Sequence, residues 1–144
     1  MGYRKELYRH HPLPEGALVA ELSSIMYGRL SENERLECEY AYANAIQSDD
    51  STRVDIAILG DGFPHTFIEV KRGTAGKRLI EQDLLKLAKV KVKHPSIRCY
   101  LLIGSQGHLP ANYVDPKTGK AYRGRFLTLE DVTYRVVRVC KASG

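Results

Sequence analysis

The run Thr66-Phe67-Ile68-Glu69-Val70-Lys71-Arg72-Gly73 constrains this chain more than any other stretch. It has the pattern of a short β-strand that closes on a carboxylate and an amine two positions apart. Side chains two apart on a strand share a face, so Glu69 and Lys71 should project together while Val70 points inward. An apolar approach that ends in a paired acid and base suits a site better than a core. Upstream, Thr52 to Leu59 reads as a second strand holding a single acid, Asp55. Val54, Ile56 and Ile58 fall on one face of it, and Arg53, Asp55 and Ala57 on the other. Gly60-Asp61-Gly62 separates the two strands, which predicts an antiparallel hairpin.

The flanking sequence supplies the other elements. Pro14 and Glu15 are suited to a helix start, and the pattern carries that helix to about Leu30, with Leu18, Leu22, Ile25, Met26 and Arg29 on one arc. Glu21 lies beside this arc. Ser31 and Glu34 form a turn or capping element, and Leu36 to Ala43 alternates as a half-exposed strand. Gln47 to Ser51 is a polar loop. After the Glu69–Lys71 strand, Gly73 to Gly76 breaks the chain and Lys77 to Lys93 reads as a helix. Its buried stripe is Ile80, Leu84, Leu87 and Ala88, and His94-Pro95 ends it. Arg98 to Gly104 is almost continuously apolar, as in a strand covered on both faces. Strand, helix and buried strand in succession predict a right-handed parallel crossover. Ser105 to Arg125 is loop-rich, Phe126–Leu129 is a short strand, and Val132 to Cys140 reads as an edge strand carrying Arg135 and Arg138.

The expected fold is therefore α/β, of order α-β-β-β-α-β with added C-terminal strands, a mixed sheet flanked by helices. Its 144 residues make one domain, with the core at about 15–104, an arm at 1–13, and a loop-rich region with edge strands at 105–144. No apolar run is long enough to cross a membrane, and the first residues lack the pattern of a signal peptide. The three cysteines, Cys38, Cys99 and Cys140, are widely spaced and read as buried free thiols of a cytoplasmic protein.

An acid in one strand, a hairpin, and Glu-x-Lys in the next, preceded by a helix bearing a glutamate and followed by a basic helix, resembles the PD-(D/E)XK nuclease superfamily. The likeness spans roughly residues 15 to 104. It implies a restriction-endonuclease-like core in which Asp55 and Glu69 hold Mg²⁺ or Mn²⁺ with the backbone carbonyl of Val70, and in which Lys71 offsets charge on the phosphodiester. It also implies a carboxylate from the first helix; Glu21 is the candidate and Glu15 its competitor. Hard oxygen ligands completed by water suit these cations. Two departures stand out. Val54 replaces the proline of the family name. Gln82 stands where RecB-like members carry a glutamine, but Lys86 replaces the tyrosine that follows it there.

The net charge is +5 and the pI near 9.1. Arg72, Lys77, Arg78, Lys86 and Lys89 crowd the segment after the Glu-x-Lys strand and are the candidates for phosphate contact. The resulting expectation is a metal-dependent endonuclease that hydrolyses DNA phosphodiesters, selective for DNA structure or ends, with a homodimer allowed. The alternative is a non-catalytic nucleic-acid-binding or scaffold protein that keeps the fold.

Overall fold

A computed structural model describes residues 15–41, 53–72, 75–106, 125–129 and 132–139, with the side chains of 105–106, 125–129 and 132–135 outside the description. The expectations for the arm at 1–13, the helix start at Pro14, the loop at 47–51, the break at 73–74, the loop-rich stretch that follows Gln106 and Cys140 fall on residues outside this set. The elements run α1 (Glu15–Tyr27), β1 (Glu34–Ala41), β2 (Arg53–Gly60), β3 (Phe63–Arg72), α2 (Lys77–Lys93), β4 (Arg98–Gln106), β5 (Arg125–Leu129) and β6 (Val132–Val139). All six strands form one mixed sheet in the order β1-β2-β3-β4-β6-β5. The protein is thus an α/β fold, and β3 pairs antiparallel with β2 and parallel with β4.

Local chemistry accounts for the hairpin. Asp61 and Gly62 take φ of 55° and 81°, the two successive positive values that a two-residue type I′ turn needs and that an Asp-Gly pair adopts readily. The β2–β3 register then slips beside Leu59, because β3 carries an extra residue, His65, between Pro64 and Thr66. A proline beside such a bulge removes no ladder donor that the sheet needs. His65 is pinned on both ring nitrogens, Nε2 at 2.8 Å from Glu34 Oε2 and Nδ1 at 2.7 Å from Thr66 Oγ1. Gly60 makes room for it, since a Cβ there would meet the His65 ring at 3.2 Å. Glu34 also accepts from the Ser31 N–H and hydroxyl, so the predicted turn at Ser31 leads directly into β1.

Strand parity sorts the core into two layers except at Val54, which joins the α2 layer while Ile56, expected on its face, packs in the other. Ile56, Ile68, Val70 and Leu102 pack with Leu18 and Leu22 of α1. Ala57, Leu59, Phe67, Cys99, Leu101 and Ile103 pack with Ile80, Leu84, Leu87 and Val90 of α2. One helix therefore covers each face.

Three details differ from the sequence reading. β1 does not alternate cleanly: Glu39 at φ 54° breaks the pleat, and Tyr40 alone is fully buried, its ring 5.8 Å from that of Phe67. Cys38 is consequently exposed rather than buried, with Sγ 3.3 Å from Ser23 Oγ. β6 is not an edge strand. It lies between β4 and β5, with Val137 in the α2 layer and Val136 against the α1 layer, and apolar demand on both faces is what an interior strand requires. On α2, Val90 and Asp83 join the buried stripe, whereas Ala88 is only half-buried. Lys91 closes the end of α2 by donating to the carbonyls of Pro95 and Ile97 at 2.6 and 2.9 Å, as basic side chains do near helix C-termini.

Among the described residues, no helix is long and apolar enough to cross a membrane.

Candidate functional site

β3 is buried almost without interruption from Thr66 to Val70, and its far end is where the charges gather. The β2–β3 ladder ends at Ile56↔Ile68, whereas β3 continues against β4 as far as Arg72↔Gly104. Just past the last β2 pair, the Val70 N–H donates to Asp55 Oδ2 at 2.7 Å. A side-chain carboxylate thus takes the place of a ladder carbonyl. That bond anchors Asp55 and leaves its other oxygen for other work.

Asp55 and Glu69 share the α2-facing side of the sheet by parity, and their carboxyl groups come within hydrogen-bonding reach. Glu69 is only 3% exposed. Burial first, and then the charges of Asp55 and Asp83, push its pKa up to about 8, with Lys86 opposing. Lys86 Nζ lies 3.3 Å from Glu69 Oε1 and 3.8 Å from Asp83 Oδ1. Lys71 Nζ lies 3.3 Å from Asp83 Oδ2 and 3.6 Å from Glu15 Oε1. Burial works against the charge on Lys71, but Asp83 and Glu15 outweigh it and hold its pKa above the ordinary lysine value. Asp83 and Glu15 are themselves raised, chiefly by burial, with Lys71 opposing in both cases.

The structure therefore brings Asp55 to Glu69 and links Lys71 to them through Asp83, whose two oxygens lie against Lys71 and Lys86. Asp83, Lys86 and Glu15 are the three groups it adds. Asp83 had a legible signal. It stands three after Ile80 and four before Leu87, an acid on an apolar helical stripe, yet among so many lysines it passes for a solvated counter-charge. Of the two acids on the first helix that the sequence offers, it is Glu15, the competitor, that lies at the cluster. It sits in the first turn of α1, which covers the other sheet face, and still reaches Lys71 past the strand end. Glu21 is buried on α1, six residues or about 9 Å further along the helix axis than Glu15.

The basic residues divide. Arg72, Arg78 and Lys89 are exposed, and Lys77 is exposed with its amine 3.7 Å from Glu81. Lys86 turns inward to the acids instead of outward with the others.

Counted formally, Glu15, Asp55, Glu69 and Asp83 face Lys71 and Lys86, an excess of two negative charges (four acids less two amines) once Glu69 has lost its proton. Among the described residues no group of three or more His, Cys, Asp and Glu side chains is arranged to enclose a metal ion. Zinc-type closed sites are the ones that need such a group. Mg²⁺ is commonly held through one or two carboxylates and keeps several waters, and a carboxylate pair with two charges in excess fits that habit.

No family model, curated protein or solved structure matches this chain.

Proposed function

We propose that this protein is a cytoplasmic, metal-dependent endonuclease of restriction-endonuclease-like fold that cleaves DNA phosphodiesters, selecting DNA by structure or ends. One observation carries the reading. Asp55 and Glu69 are held within hydrogen-bonding reach at a sheet end where burial and like charge raise Glu69 to about 8, with Lys71 tied to the same cluster through Asp83. A fold gains nothing from pressing two carboxyl groups together, and paired acids of shifted pKa cluster at functional sites.

In this reading Asp55, Glu69 and the Val70 carbonyl hold Mg²⁺ or Mn²⁺, and the carboxylate that α1 brings to them is Glu15, 3.6 Å from Lys71. When bound, the cation supplies Lewis acidity toward a phosphodiester oxygen. Lys71, kept charged by Asp83 and Glu15, stabilises the negative charge that develops on the phosphate in the transition state. The Val70 N–H fixes the Asp55 carboxylate so that it need not reorganise. The exposed Arg72, Lys77, Arg78 and Lys89 contact DNA phosphates on either side of the scissile bond.

A second reading has an observation in its favour. Lys71 and Lys86 already neutralise part of the acid cluster, as in a structural ion network, which suits a non-catalytic nucleic-acid-binding or scaffold protein. Plasmid nicking decides between them. The endonuclease nicks supercoiled DNA with Mg²⁺ or Mn²⁺ and stops with chelator, and Lys71→Ala abolishes the activity. A binder retards DNA and cuts none.

A further inference from the structure

Lys86 occupies an unusual position for a lysine of a basic helix. The residues around it in the outward row of α2, Arg78, Gln82 and Lys89, are exposed, whereas its own side chain is 31% exposed and directed at the sheet. Its amine sits between two acids, 3.3 Å from Glu69 Oε1 and 3.8 Å from Asp83 Oδ1. Glu69 is almost fully buried and faces Asp55, so this ammonium is a cation already seated against the carboxylate that the proposed metal would use.

We propose that Lys86 is a built-in competitor for the cation seat of Asp55 and Glu69, an ammonium that a divalent ion must displace from Glu69 to bind. The inference rests on the functional reading above and adds a residue that the Glu-x-Lys pattern does not contain. A divalent ion on Glu69 and the Lys86 ammonium at contact distance repel each other in proportion to the product of their charges, so the ion binds more weakly while Lys86 stays in place. The divalent ion wins on charge, but only by moving Lys86 off Glu69. Asp83 Oδ1 is the alternative acceptor already within 3.8 Å, and its other oxygen already holds Lys71. Cation entry would therefore press both site amines onto one carboxylate, coupling the loading of Asp55 and Glu69 to the position of Lys71. Lys86 also gives the protein a way to hold an acid cluster together at low divalent concentration. It sets the concentration at which the site loads.

The test is calorimetric titration of the full chain with Mn²⁺ at pH 8.5 under argon, above the Glu69 pKa of about 8 so that its proton competes little with the ion. It compares wild type with Lys86→Met, Lys86→Gln, Lys86→Arg and Asp55→Asn, each first checked by a thermal melt. Removing the competing charge should tighten Mn²⁺ binding on the order of tenfold in Lys86→Met and Lys86→Gln, a modest effect because the amine is partly solvated. Lys86→Arg keeps the charge and should stay near wild type. Asp55→Asn should weaken binding and identifies the seat. If wild type binds Mn²⁺, Asp55→Asn does not, and neither neutral variant binds tighter, the competitor role is wrong and the metal site stands. If no protein binds Mn²⁺, or Asp55→Asn binds as wild type does, the functional reading and this inference fall together. Binding seen only in the neutral Lys86 variants, and abolished when Asp55→Asn is added, would support the inference in its strongest form.

Discussion

The Val70 N–H donates to the carboxylate of Asp55 at 2.7 Å, where the ladder between β2 and β3 has just ended. One bond thereby does two things. It satisfies a buried backbone donor, and it aims an acid at Glu69. Stability and chemistry should come apart when Asp55 is changed. Asp55→Ala leaves the Val70 N–H without its acceptor, at a cost of about 1–3 kcal/mol. Asp55→Asn keeps an oxygen for that bond and removes one charge facing Glu69, so its stability should equal or exceed wild type. Both should lose metal-dependent cleavage. Urea denaturation beside a nicking assay checks this, and equal loss of stability in the two variants would deny the bond its role.

Glu69 makes the fold pH-dependent in a direction opposite to that of an ordinary salt-bridged acid. Its folded pKa of about 8 lies above the ordinary 4.5. Between those values the folded state binds the proton that the unfolded chain has released, so stability falls as pH rises through that window and levels off above it. Asp83 and Glu15 are raised too and add to the slope. Glu69→Gln should flatten the fall and be the more stable protein above pH 8. Thermal melts from pH 5 to 9 test the sign; a wild type that gains stability steadily across that range would contradict it.

How much of this was legible in the sequence depends on whether a feature is local. The hairpin was legible because Asp61-Gly62 suits only a few turns, and the two strands around it alternate. The parallel β3–α2–β4 unit was legible because a lysine-rich amphipathic helix separates a strand from an apolar run that needs cover on both faces. β6 was read as an edge because Arg135 and Arg138 look solvated, whereas Val136 and Val137 feed opposite layers and place it inside the sheet. The turn of β1 at Glu39 has no local signal; the gain comes from Tyr40 reaching Phe67. Lys86 illustrates the limit of counting charge. Nothing in a run of lysines tells which one is drawn inward, since the acids that draw it, Glu69 and Asp83, meet only when α2 lies across β3.

That division of the lysines changes which substitutions should affect DNA affinity. Arg78 and Lys89 are exposed on α2, and Lys86 is not available in the same way. Reversing Arg78 and Lys89 to glutamate should weaken binding across all sequences and lower the salt dependence by roughly 0.9 log–log units for each phosphate no longer neutralised. Lys86→Met should leave DNA affinity measured without divalent ions nearly unchanged. Fluorescence anisotropy over a salt series measures both. A larger loss from Lys86→Met than from the Arg78–Lys89 double reversal would mean that Lys86 faces the DNA.

Lys71 separates catalysis from structure if it is changed together with its partner. The side chain is 17% exposed and pairs with the buried Asp83, so Lys71→Ala does not leave folding untouched. It strands a buried carboxylate at a cost of about 1–3 kcal/mol, eased by Lys86 at 3.8 Å from the same group. Adding Asp83→Asn removes the stranded charge and should recover most of the missing stability, since the two residues act on one interaction and their effects are not additive. Cleavage should not recover. The developing negative charge on the phosphate would still lack its ammonium, a loss on the order of 10²–10³ in rate. Denaturation and nicking of the single and double variants resolve the two roles. Activity regained along with stability in the double variant would assign Lys71 to the fold alone, and the cleavage chemistry would have to lie elsewhere.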